Sequence, residues 1–218
     1  MKKFKKALAL LLCAVLLVAG SVAGTLAYLQ AKSDVVQNTF TVGDVKIKLD
    51  EAKVDLYGEE VAGAERVMKN DYKLLPGHTY VKDPTVTVEA KSEDCYVRVF
   101  VTVSDISKLK EVFPTFVNTS GMFMLENLVN GWDGSKWACV GYEKGKYEFR
   151  YHKVVEYSET PVKLEPLFTH VEIPGTVSNT DLAKLQNLEI DVVAEAIQAD
   201  GFSSAADAWA QWNSTQNP

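Results

Sequence analysis

An all-β fold, an antiparallel sandwich carrying a few short inserted helices, is what this sequence predicts, and three observations carry the prediction. Apolar and polar residues alternate with period two in one short segment after another. Turns bearing glycine or proline separate those segments, and helical periodicity surfaces only in brief stretches.

The chain starts with a different element. Lys2, Lys3, Lys5 and Lys6 precede an unbroken apolar run, Ala7 to Val18, and then small residues from Ala19 to Ala27. A basic start, an apolar middle and a small-residue end are the layout of a secretory signal, in which small side chains at Thr25 and Ala27 fit the peptidase subsites. Cleavage is expected after Ala27, so that the mature chain begins at Tyr28. The competing reading is an uncleaved anchor, since Ala7 to Leu29 is uncharged and long enough to span a bilayer. Gly20, Ser21 and Gly24 favour cleavage because they loosen the helix where a peptidase needs extended chain. Cys13 lies behind Leu10, Leu11 and Leu12, whereas a lipidation site would want small residues there.

Removing 27 of the 218 residues leaves 191, enough for one domain, residues 28–218. The four lysines of the leader take the net charge from −6 to −10, a surface that repels nucleic acid and anionic lipid. No repeat, low-complexity tract or linker divides the body.

Val45, Ile47 and Leu49 alternate with Lys46 and Lys48, a half-buried strand. Asp50 to Tyr72 loses the period and reads as a loop, with one helical turn expected near Ala64 to Met68. Leu74-Leu75-Pro76-Gly77 is a turn. Thr85 to Glu89 is the next strand, with Pro84 tolerated at its start. After a polar turn at Lys91 to Asp94 comes the strongest strand. Cys95, Val97, Val99, Val101 and Val103 form its core face; Tyr96, Arg98, Phe100 and Thr102 form a mixed face whose covering periodicity does not reveal.

Residues 104–130 read as a helical excursion. Ser104 or Asp105 caps a helix carrying Ile106, Leu109, Val112 and Phe113 on one side, Pro114 ends it, and a second helical turn or two is expected in Met122 to Val129. Asp133-Gly134 and Lys144-Gly145 each predict a hairpin, the latter entering a strand with Tyr147, Phe149 and Tyr151 on one face. Strands at Val162 to Leu164 and Leu167 to Ile173, a short helix at Thr180 to Gln186, a long strand at Leu188 to Gln198 and a helix at Ala205 to Trp212 capped by Ser203 or Ser204 complete the chain.

The small-residue run, Ala27 followed by Tyr28, and Asn38-Thr-Phe-Thr-Val-Gly43 leading into the first strand resemble the export signal and mature start of the TasA/camelysin family, Gram-positive proteins processed by a SipW-type signal peptidase. The resemblance also touches Lys82 to Val88 and Ala194 to Trp212, and leaves the middle of the chain unmatched. It implies a jelly roll, a secreted protein of the cell surface or extracellular biofilm matrix, and a fibre subunit whose partners are copies of itself or a related matrix subunit, with the signal peptidase engaged during export. The membrane is touched only through the uncleaved signal. Tyr28 to Val42, with Val35, Val36, Phe40 and Val42 among polar residues, is suited to pair in a neighbour's sheet and has little reason to fold alone, so it is expected to be an assembly strand.

Catalytic chemistry is scarce. His78, His152 and His170 are scattered, and no two histidines sit one helical turn apart around a glutamate as a zincin requires. His170 and Glu172 share a strand face and touch a metal only in the less favoured reading. Cys139 with His152 lacks any orienting partner, and a buried strand cysteine is the preferred reading. No cofactor, metal or catalytic residue is expected, and the protein is not expected to be an enzyme. A camelysin-like metallopeptidase is one alternative. The other is an adhesive or carbohydrate-binding module built on Trp132, Trp137, Tyr142, Tyr147, Phe149 and Tyr151, which read more readily as core and cross-strand pairs. An extracellular compartment permits a Cys95–Cys139 disulfide, although Cys95 lies on a core face where a free thiol is at home.

Overall fold

The computed structural model describes residues 43–216. The leader, the junction of Ala27 with Tyr28, and the segment bearing Val35, Val36, Phe40 and Val42 lie outside the described residues. Within them, ten strands pair antiparallel throughout and only short helices interrupt them.

The strands are β1 (Ile47–Asp50), β2 (Thr79–Val81), β3 (Thr85–Val88), β4 (Cys95–Val103), β5 (Val129–Asn130), β6 (Trp137–Glu143), β7 (Lys146–Tyr151), β8 (Val162–Lys163), β9 (His170–Glu172) and β10 (Ile190–Gln198). The helices are α1 (Ile106–Val112), α2 (Asn179–Ala183) and α3 (Ala205–Gln216). Three sheets result, ordered β1-β3-β8, β10-β4-β7-β6 and β2-β9-β5.

The core follows the period-two pattern. Cys95, Val97, Val99, Val101 and Val103 of β4 are all buried, beside Tyr147 and Phe149 of β7 and Val86 and Val88 of β3. Each valine removed from water contributes about 1.5–3 kcal/mol. The excursion after β4 belongs to the same core: Asp105 caps α1 by accepting from the Lys108 N–H, and Leu109, Val112, Phe113, Phe123, Leu125 and Leu128 point inward.

The mixed face of β4 is covered by α3. Arg98 is 2% exposed and lies with its guanidinium carbon 4.2 Å from the Trp209 ring centroid and 4.8 Å from that of Phe100. Its Nε donates to Glu195 of β10 at 2.7 Å and its Nη2 to Asn213 at 2.9 Å. Removing a charge from water is costly, and pairing together with cation–π contact offsets that cost. Ser204 caps α3 by accepting from the Asp207 N–H.

Two local expectations are corrected, one is met at its lower bound, and one strand is new. Residues 64–68 form no helical turn, because Arg66 is drawn into bonds with Asp50, Asp83 and Thr85 while Val67 exchanges two backbone hydrogen bonds with Glu51. Asp133-Gly134 makes no hairpin: β5 and β6 flank it but belong to different sheets. Met122 to Val129 supplies a single 3-10 turn, Leu125–Asn127, before entering β5. Strand β2 has no sequence signature and exists through its pairing with β9.

Replacing Trp209 with alanine removes the lid over a buried cation as well as a fully buried indole. The Trp209→Ala protein is expected to lose about 3–5 kcal/mol in urea unfolding; an unchanged midpoint would mean that α3 is not anchored through this contact.

Candidate functional site

The clearest site is the edge of β10 with which no described strand pairs. Asn187 sits at φ 62, a left-handed conformation that asparagine tolerates, and it ends the α2 segment so that the chain turns into β10. Ser104 and Glu189 then align the strand: the Ser104 N–H donates to the Glu189 carbonyl at 3.0 Å, and the Glu189 N–H donates to Ser104 Oγ at 2.9 Å. Because residues opposed in an antiparallel ladder alternate between bonded and non-bonded pairs, this register aims Asp191, Val193, Glu195 and Ile197 backbone groups at β4. The backbone groups of Ile190, Val192, Ala194 and Ala196 face the other way. No described strand pairs with that side.

Alongside β10 runs a cleft of about 1060 Å³. Leu188 to Val193 line it consecutively, so it follows the strand edge and not one face. Its depth reaches core side chains, among them Leu109, Phe113, Leu128, Ile173 and Leu182. Met68 and Val193 are exposed at its rim. An extended segment laid here finds unpaired main-chain groups along one side and apolar contacts beneath alternate side chains.

Asp50, Glu51 and Lys82 line the cleft on its other side, and Asp50 is held from behind by Arg66, which does not itself line it. Arg66 Nη1 donates to Asp83 Oδ2 at 2.7 Å, Nε to Asp50, and Nη2 to the Asp50 and Asp83 carbonyls and Thr85 Oγ1. Burial opposes ionisation of Asp50, yet its bonds with Lys48 and Arg66 outweigh burial and hold the carboxyl below its ordinary range. Beside this cluster Lys82 Nζ donates to Glu51 Oε2 at 2.7 Å. Burial, with the Glu51 charge adding to it, raises the pKa of the Tyr72 phenol.

The other sequence candidates are dispersed. His170 and Glu172 share β9, but Glu172 accepts from Asn130 Nδ2 at 2.7 Å and His170 Nδ1 lies 2.9 Å from Thr169 Oγ1. Among the described residues no group of three His, Cys, Asp or Glu side chains is placed to hold a metal ion. The aromatic residues form edge or tilted pairs, Trp132 with Phe149, Trp137 with Tyr151 and Tyr142 with Tyr147, and Trp137, Tyr147 and Phe149 are buried. Among the described residues, no helix is long and apolar enough to cross a membrane.

Cys95 is the free core thiol its strand face favoured, and one cysteine expectation, the burial of Cys139, is corrected. Cys95 and Cys139 are separate free thiols, the first buried and the second exposed. Cys139 opposes Phe149, which opposes Val99, so Cys139 lies two strands over and four positions along from Cys95. That is roughly 16 Å, far beyond disulfide reach. Cys139 is therefore not the buried strand cysteine expected, because β6 is the outer strand of its sheet. Its register with β7 shifts between Cys139 and Gly141.

Comparison of the chain with protein-family models, curated proteins and solved structures returns no match.

Burial pushes the Cys95 thiol up to about 11, and partial covering followed by the charges of Glu126 and Glu148 raises that of Cys139. In native protein near pH 8, a maleimide is expected to modify Cys139 slowly, faster as pH rises, and to reach Cys95 only after denaturation. Peptide mapping of the labelled sites checks this.

Proposed function

We propose that this protein is a secreted structural subunit of the cell surface or extracellular matrix, a jelly-roll-like body that assembles when the N-terminal segment of one copy adds to the open edge of β10 in the next. The observation that carries the reading is that edge: among the described residues no strand pairs with the outer side of β10, which runs beside a cleft opening onto the core. The leader layout, the absence of a recognisable catalytic motif in the sequence, and the resemblance to TasA/camelysin proteins support the same reading.

The incoming strand is residues 28–42. From Val36 onward, Val36, Phe40 and Val42 fall on one side of an extended chain, with Thr39 and Thr41 on the other. The side carrying Phe40 is the one to enter the cleft. Main-chain hydrogen bonds supply affinity in such pairing and the pockets beneath alternate side chains supply register. Cleavage between Ala27 and Tyr28 frees the segment from the leader, which makes processing the trigger for assembly.

Sequencing of protein from culture medium is expected to begin at Tyr28; a start at Met1 in the membrane fraction would establish an uncleaved anchor instead.

Deleting residues 28–38 is expected to leave a folded monomer, while the full mature chain elongates with time and concentration. Ala194→Pro provides the complementary test at the acceptor. The Ala194 N–H points away from β4, so proline there removes only an outward donor and is tolerated on an edge. Light scattering should show a folded protein that no longer elongates; assembly by either variant at the normal rate would rule out strand donation to β10.

A further inference from the structure

A second constellation stands apart from strand assembly and does not rest on it. Glu51, 8% exposed in its side chain, holds two nitrogen groups at once. Oε2 accepts from Lys82 Nζ at 2.7 Å, and Oε1 accepts from Asn70 Nδ2 at 3.0 Å. The amine and the amide are thus each one hydrogen bond from the same carboxylate. Lys82 is itself 11% exposed, with Nζ 5.9 Å from the Tyr72 ring centroid.

The orientation of the Asn70 amide is set by backbone. The Val54 N–H donates to Oδ1 at 3.1 Å, and Nδ2 donates to the Ala52 carbonyl at 2.8 Å. Neither partner can exchange donor for acceptor, so the amide has only one satisfied orientation. The Lys82 backbone is anchored too, its N–H donating to the Thr169 carbonyl at 3.0 Å. An ordinary ion pair would need none of the amide geometry.

We propose that Lys82 and Asn70 are the partners of an intramolecular isopeptide bond, with Glu51 as the acid and base that transfers the protons. Glu51 takes a proton from the Lys82 ammonium, leaving a neutral amine. The Nζ lone pair attacks Asn70 Cγ, a Nζ–Cγ bond forms, and the negative charge passes to Oδ1, where the Val54 N–H already donates. The second amine proton goes to Nδ2, the Cγ–Nδ2 bond breaks, and the departing ammonia takes up the proton held by Glu51 to leave as ammonium. The Lys82 ammonium and the Asn70 amide become a secondary amide and an ammonium ion, with Glu51 returned to its carboxylate. No oxidant or other reactant enters. Holding the two groups on one buried carboxylate supplies the effective concentration that the reaction lacks in water.

Such a bond staples the loop carrying Val67 to Tyr72, one wall of the cleft, to the residue joining β2 to β3. It closes a covalent loop that persists when the chain unfolds, which constrains the unfolded state as a disulfide does, with no dependence on redox conditions.

The test is the intact mass of the folded, secreted full chain, compared with the sequence mass for its observed N-terminus. A deficit of about 17 Da, the mass of one ammonia, is expected. A protease digest should contain one branched peptide joining positions 70 and 82. Lys82→Arg keeps a cation on Glu51 and so keeps the fold, but has no amine to acylate; it should show the full sequence mass, as should Asn70→Ala. Glu51→Gln, checked for folding by circular dichroism, should lose the bond as well. A folded wild-type protein at full sequence mass would overturn the proposal. So would an ammonia loss that survives in Lys82→Arg, since that marks cyclisation at Asn70-Asp71. A branched peptide retained in Glu51→Gln would remove Glu51 from the reaction.

Discussion

The buried guanidinium of Arg98 constrains more of this structure than any other single group. It lies on the face of β4 that α3 covers, so it cannot reach water without displacing that helix. A cation in that position must find anions and a covering surface nearby. Glu195 brings the charge from β10, and Asn213 and Trp209 bring α3 across the face. The packing of the C-terminal helix and the alignment of the last strand are consequences of one residue that must not be left unpaired.

That constraint also shapes the site. With one edge of β10 occupied by β4 and its outer face partly closed by α3, the remaining edge is what the strand can offer to a partner. The walls of the cleft differ accordingly. One is the side of β10 that no described strand pairs; the other carries Asp50, Glu51 and Lys82, whose charges are already matched, Asp50 by Arg66 and Glu51 by Lys82. In the proposed assembly a partner strand would gain little by competing for matched charges and more by pairing with backbone, which would direct it to β10. In the proposed assembly, copies carrying a net charge of −10 without residues 1–27 would repel at long range, so short-range backbone pairing and apolar contact would have to hold them together.

The aromatic residues illustrate how the same composition supports opposed readings until packing is known. Six of them fall in and around one hairpin, as a glycan platform would require. Their rings turn toward one another across β6 and β7, and three are buried. The polar ends are likewise engaged: Trp132 Nε1 donates to the Trp137 carbonyl, Trp137 Nε1 to that of Glu165, and the Tyr147 hydroxyl to that of Phe123.

Period-two alternation by itself determined most of the antiparallel body, including β4, β7 and the core they share, because burial on one face writes itself into every second residue. Caps at Asp105 and Ser204 were legible to within one residue, since a side chain bonding a nearby N–H is a local event. What covers the mixed face of β4, which sheet β5 joins, that β2 is a strand at all, and that one side of β10 stays unpaired were decided only by tertiary structure. Each depends on residues far apart in the chain, as with Arg98 and Asn213, and no local pattern encodes such a meeting. The loop after β1 makes the point most sharply: without period, and without the helical turn expected at Ala64 to Met68, it is given its shape by Arg66, Asn70 and Val67 finding partners on β1, on Glu51 and Ala52 just beyond it, and at the start of β3.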